Sequence, residues 1–295
     1  MKKTIAVIVT YNRKKLLLEC IENLEKQTYS SFLSIMVVDN NSTDGTYELL
    51  KPLIDNKRII YRNTGKNLGG AGGFEYGVLQ VIETQYDYVW ILDDDTIPTE
   101  NALEEFYNFI GDEREFGFLS SYVKWSDGSL CTMNVQRKSL LKKLTSFDQK
   151  VIPIQYATFV SFFVSMKVVK EVGAPIGDFF IWGDDWEYSR RISKKYNSYL
   201  LMNSVAVHKT LHNQGCDISN DVEERIPRYR LYYRNNFYVA KQEGILGAFY
   251  YMLKILKDFI RIIFKSKTLK KQRMDAMKDG ILDGIKFCPQ IKMHQ

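Results

Sequence analysis

The chain has 295 residues, with 41 Lys/Arg against 35 Asp/Glu, a net charge of +6, and a hydrophobic fraction of 45%. That length holds one large α/β unit plus an appendage. The excess charge lies on the C-terminal stretch, where residues 241–279 carry ten Lys/Arg and four Asp/Glu, +6, so the rest is near neutral and no nucleic-acid surface is expected. The four cysteines (Cys20, Cys131, Cys216, Cys288) lack paired metal spacing and fit free thiols in a reducing, cytoplasmic compartment. No run reaches about 18 uncharged apolar residues, so no transmembrane helix is expected. The apolar run 4–10 is too short for a signal peptide and leads straight into Tyr-Asn-Arg; it reads as a strand.

In chain order, 5–10 reads as a strand and 14–27 as a helix capped by Asn12. Strands follow at 33–39, 58–62 and 88–92, with helices at 44–51, 70–84 and 100–110. Strand and helix alternating at this spacing imply a mostly parallel sheet with right-handed crossovers. From 116 to about 165 the pattern changes to short β-like pieces. Residues 135–152 are basic and irregular and read as a mobile loop. A helix over 184–196 and a strand near 205–208 complete the core, and the chain is helical after Pro227, with breaks at Gly244 and near Ser266. The division is therefore 1–226 for the α/β domain and 227–295 for a helical region.

Four segments fall where strands end and helices begin, and an α/β sheet gathers such segments along one edge. They are Val-Thr-Tyr-Asn-Arg (9–13), Val-Asp-Asn-Asn-Ser-Thr-Asp-Gly-Thr (38–46), Asn-Leu-Gly-Gly-Ala-Gly-Gly-Phe (67–74) and Asp93-Asp94-Asp95. Three successive acids after an apolar strand need either solvent or a compensating cation. Side chains at i and i+2 of an extended segment point the same way, so Asp93 and Asp95 can converge on one point. Hard oxygen ligands there suit Mg²⁺ or Mn²⁺. The alternative is a solvated turn capping a helix that starts near Pro98-Thr99. The glycines of 67–74 either let backbone amides approach a ligand or serve tight helix–strand packing. Neither a Walker loop nor a GxGxxG fingerprint is present.

Together these segments resemble the family 2 glycosyltransferases of the GT-A fold, over roughly residues 4–210. The resemblance implies that the first two segments hold the nucleotide of a sugar donor, and that Leu-Asp-Asp-Asp (92–95) is the DxD motif that binds the metal bridging the diphosphate. The finer similarity, carried by 67–74 and by Phe-Ile-Trp-Gly-Asp-Asp-Trp-Glu (180–187), is to the bacterial galactofuranosyltransferase and rhamnosyltransferase branch. It implies an inverting transfer of galactofuranose from UDP-galactofuranose, or of rhamnose from dTDP-rhamnose, to a glycan or lipid-linked glycan hydroxyl.

Under that resemblance Thr10, Tyr11, Arg13, Asp39, Asn67, Gly70 and Asp94 contact the donor. Asp93 and Asp95 bind the metal with His208, which is otherwise read as a structural histidine after a strand. Asp185 is the base that takes the acceptor's proton. Asp184 and Glu187 bind acceptor hydroxyls or orient the site, although acids in a first helical turn also suit the helix dipole. Trp182 stacks on a sugar or packs in the core. The segment 228–236 reads as a helix packed under the site. In the helix 249–264, Lys254, Lys257, Asp258 and Arg261 share one face and the rest is apolar, so the domain, a second subunit or the inner face of the cell membrane must cover it. A pyrophosphorylase is disfavoured because Thr-Tyr-Asn-Arg-Lys (10–14) carries no glycine. A non-catalytic glycan-binding protein has no need of both the acids and the histidine.

Overall fold

A computed structural model describes residues 2–111 and 114–293. Four parallel strands, β1 (Thr4–Thr10), β2 (Leu33–Asp39), β3 (Ile60–Asn63) and β4 (Tyr88–Asp93), lie in the order β3-β2-β1-β4. They are linked by α1 (Lys14–Glu25), α2 (Thr46–Asp55) and α3 (Gly69–Val81). β1 is buried at every position, and its alternation sorts the two layers: Ile5, Val7 and Val9 pack with α3, while Ala6 and Ile8 pack with α1.

The remaining strands give the sheet a mixed half. They are β5 (Thr96–Pro98), β6 (Phe118–Trp125), β7 (Val151–Ile154), β8 (Phe162–Ser165) and β9 (Ser198–His208). β8 joins β4 antiparallel, and the order continues β8-β6-β9-β5, with β7 also on β9. Helices α4 (Ala102–Ile110), α5 (Met166–Val172) and α6 (Asp184–Ser193) cover its faces. The chain then closes with α7 (Tyr229–Lys241), α8 (Gly244–Lys265) and α9 (Lys270–Lys286). No helix among the described residues is long and apolar enough to cross a membrane.

Three local expectations change. Asn12 does not cap α1; it adopts a positive φ of 54°, and its Oδ1 accepts from the amide of Thr43, 2.7 Å away, tying the β1 and β2 loops together. The acid triplet does not lead into a helix at Pro98: Thr96–Pro98 form β5 first, and α4 starts only at Ala102. Residues 135–152 are anchored, with Leu140 and Leu144 buried and Arg137 bridged to Lys143 and Tyr156.

Candidate active site

Chain order reverses at β1, which has β2 on one side and β4 on the other, and such a switch opens a crevice at the strands' carboxyl ends. Register aligns Thr10 with Asp39 and Val9 with Asp93, so the first, second and fourth segments end at one level. Asp94 and Asp95 are buried here at 4% and 3% exposure. The Thr10 hydroxyl donates to Asp94 at 2.7 Å, and Arg13 pairs with Asp95 at 2.7 Å and Asp94 at 3.3 Å.

The third ligand residue comes from far along the chain. β5 pairs antiparallel with β9 so that Thr96 faces His208, which sets the imidazole Nε2 3.0 Å from Asp95 Oδ1. Ligand atoms of Asp93, Asp95 and His208 lie within 4.8 Å of one another. Separations of about 3–4 Å are those around a cation held at about 2.1 Å, so this donor set of two carboxylates and one imidazole fits Mn²⁺ or Mg²⁺ after slight closure.

The electrostatics say the same. Burial, reinforced by Asp95, pushes Asp93 up to about 7. Burial raises Asp94 to about 6 against the pull of Arg13. Asp95 is held low because His208 and Arg13 outweigh its burial, and His208 is raised to about 10 because Asp95 and Asp93 outweigh its own. Without metal, the cluster is balanced by Arg13 and a protonated His208, and a divalent cation would take over the charge that the imidazolium proton now supplies.

Asn134 was not singled out from the sequence. Its Oδ1 accepts from His208 Nδ1 at 2.7 Å and from Cys131 Sγ at 2.9 Å, which holds the ring with its Nδ1 proton on that side and Nε2 toward Asp95. Tyr61 was missed too; its hydroxyl donates to Asp39 Oδ2 at 2.6 Å and is pushed up to about 12 by burial and that bond. Asp39 Oδ1 accepts from the Ser42 amide at 2.8 Å. No spacing signal marks either residue, because both contacts cross between strands or loops.

The glycines of 67–74 divide their work. Gly69 has φ +72°, and a Cβ there would lie 2.1 Å from the Phe180 carbonyl oxygen. Asn67 Oδ1 accepts from its amide and Asn40 donates to its carbonyl, both at 2.8 Å. Gly73 and Gly77 let α3 close on Val9 and Val7, whereas a Cβ on Gly70 would meet open space. The packing role read from the sequence is therefore present at Gly69 and Gly73. Tyr11 stands 43% exposed at the mouth.

Residues 180–183 reach α6 through three positive φ values, at Phe180 (63°), Trp182 (64°) and Gly183 (91°). The buried Asn235 of α7 holds this turn, its Nδ2 facing the carbonyls of Phe179, Ile181 and Trp182 at 2.8–3.0 Å. The segment 228–236 is thus a helix packed beneath the site. Asp184 and Asp185 open α6. Burial raises Asp184 to about 6, and burial, Asp184 and Asp93 raise Asp185 well above the usual carboxylate range. Glu187 turns away to pair with Arg191 at 2.7 Å, both nearly buried. Trp182 packs on Tyr229 and Tyr232, with the Arg225 guanidinium 5.5 Å from its ring centroid.

Known proteins resemble this chain in sequence and in fold. The sequence profile of glycosyl transferase family 2 matches residues 5–173, more than half of the chain. Galactofuranosyltransferase GlfT1 of Mycolicibacterium smegmatis is 24% identical over 261 residues, covering 81% of this chain and 83% of the relative. Glycosyltransferase GlyG of Streptococcus pneumoniae is 32% identical over 135 residues, covering 44% of this chain and 43% of the relative. Among solved structures, GalNAc-T7 with UDP, GalNAc and Mn²⁺ superposes with a TM-score of 0.67 at 15% identity, over 96% of this chain and 56% of that one. The mannosyltransferase PcManGT of Pyrobaculum calidifontis, with GDP-Man and Mn²⁺, gives 0.61 at 14% identity, over 93% and 73%. The α/β core with its C-terminal helices is a GT-A fold, and the chain belongs to glycosyl transferase family 2.

Proposed function

We propose that this glycosyltransferase moves galactofuranose, with inversion, from UDP-galactofuranose to a hydroxyl of a glycan or lipid-linked glycan of the cell surface. The observation that carries the reading is the meeting of Asp93, Asp95 and His208 at the β1/β4 crevice, with Asp185 near enough to feel the charge of Asp93. Similarity to GlfT1 over four-fifths of the chain supports the choice of sugar.

Asp93, Asp95 and His208 would hold Mn²⁺ or Mg²⁺, which supplies charge neutralisation for the departing diphosphate. Thr10, Tyr11, Arg13, Asp39, Asn67, Gly70 and Asp94 bind the donor, and Arg13, about half exposed, can reach a phosphate while it stays near Asp94. Asp185 takes the proton of the attacking hydroxyl from the face opposite the leaving group. Its raised proton affinity suits that role. Asp184 binds the acceptor with Trp182 beside it, and Glu187, locked to Arg191, keeps the first turn of α6 in place.

Donor hydrolysis with each nucleotide sugar tests the reading. Turnover of UDP-galactofuranose that depends on Mn²⁺ or Mg²⁺ is expected. Turnover of dTDP-rhamnose without UDP-galactofuranose overturns the choice of sugar, and full transfer by Asp185→Asn removes the base assignment.

A further inference from the structure

Helix α8 is folded inside out. Its polar side faces the protein: Asp258 is buried and accepts from the Tyr233 hydroxyl at 3.0 Å, Lys254 bonds the Tyr232 hydroxyl at 2.5 Å, and Arg261 pairs with Asp217 at 3.3 Å. The Tyr251 hydroxyl donates to the Tyr233 carbonyl on the same side. Ten large apolar side chains of this helix point outward instead, among them Ile245, Phe249, Met252, Leu256, Ile260 and Phe264 at 46–91% exposure. At about 100° per residue they fill an arc of roughly 140°, along a helix about 33 Å long. No charged residue interrupts that arc, and a soluble protein does not leave so large a stripe uncovered without a partner.

The charge around the stripe identifies the partner. Lys257 stands at the edge of the arc, and Lys267 and Lys271 follow beyond its C-terminal end, all exposed. The one acid of the helix, Asp258, is turned inward, so α8 itself adds no negative charge beside the arc. A second copy docked through the same stripe would present an arc with no acid in it to pair with these lysines, whereas an anionic lipid surface neutralises them. We infer that α8 lies in the headgroup region of an anionic membrane, its apolar arc in the acyl boundary and its lysines on the phosphates. α8 packs on α7, which also carries Asn235 beneath the turn that leads to Asp184, so docking there sets the orientation of the crevice toward the membrane.

The inference is independent of which sugar is transferred and is read without substrate. The full chain is floated with phosphatidylcholine vesicles, with or without about 30% phosphatidylglycerol, at about 0.1 M and 0.5 M salt. Expected is at least tenfold stronger binding to the anionic vesicles, weakened by the higher salt. The triple variant Phe249→Ser/Leu256→Ser/Ile260→Ser changes exposed residues only; it should lose vesicle binding while keeping its circular dichroism, melting temperature and donor hydrolysis. Lys257→Glu/Lys267→Glu/Lys271→Glu should remove the preference for anionic lipid. Equal flotation of the serine triple variant, or no flotation of the parent chain, overturns the proposal. So does a dimer in light scattering that the serine variant dissolves, since a second copy would then cover the stripe.

Discussion

Asp184 offers a direct measure of how much the acid cluster at the start of α6 costs the fold. Burial raises it from the ordinary 3.8 to about 6, and its residue is only 7% exposed. A difference of about two pKa units corresponds to about 3 kcal/mol as an upper magnitude. Because the folded state holds the proton more tightly than the unfolded chain, this group destabilises the fold as pH rises from about 4 through about 6, and the full loss is present at neutral pH. Asp184→Asn keeps an oxygen for the backbone amides that Asp184 now accepts and removes the ionisation. The variant should be more stable than the parent by about 1–3 kcal/mol at pH 7.5, with the gain fading to nothing near pH 4. Urea unfolding of the metal-free protein across that range reads the difference, with an unchanged slope against urea. A variant no more stable at pH 7.5, or one whose gain is the same at pH 4.5, would refute the reasoning. The same substitution should weaken acceptor use, so stability and activity move in opposite directions, as expected of a site that stores unfavourable charge.

Two further substitutions separate support from display. Gly69→Ala forces a Cβ onto the Phe180 carbonyl at a positive φ and should cost about 2–4 kcal/mol with loss of donor affinity, whereas Gly70→Ala, which meets open space, should stay within about 0.5 kcal/mol of the parent; equal melting temperatures for the two would contradict the packing described. Asn134→Leu removes the acceptor that holds the His208 ring and should lower Mn²⁺ affinity about 10–100-fold by calorimetry, with Asn134→Asp restoring much of it. Unchanged Mn²⁺ affinity in the leucine variant would remove Asn134 from the site.

Most of the core was legible because its determinants are local. β1 alternates between two buried faces, the strands recur between helical stretches, and the motifs stand at strand ends, so the crevice and the acids in it follow from order along the chain. The mixed half of the sheet was less legible: β5 is three residues long and exists only because β9 is there to pair with it. Asn12 was misread for a similar reason, since its side chain serves Thr43 thirty-one residues away rather than its own helix.

The sequence by itself determined which residues carry charge and metal-binding oxygen, the two-sided burial of the parallel strands, and the family to which the chain belongs. Tertiary structure decided which of those residues meet. His208 reaches Asp95 across 113 positions through one antiparallel pairing, and Asn134 aims it through a loop contact that no periodicity records. In α8 the sequence shows one charged face and one apolar face, but not which of them turns inward. The tyrosines of α7 supply hydroxyls that bury Lys254 and Asp258, and so the apolar face is left outside.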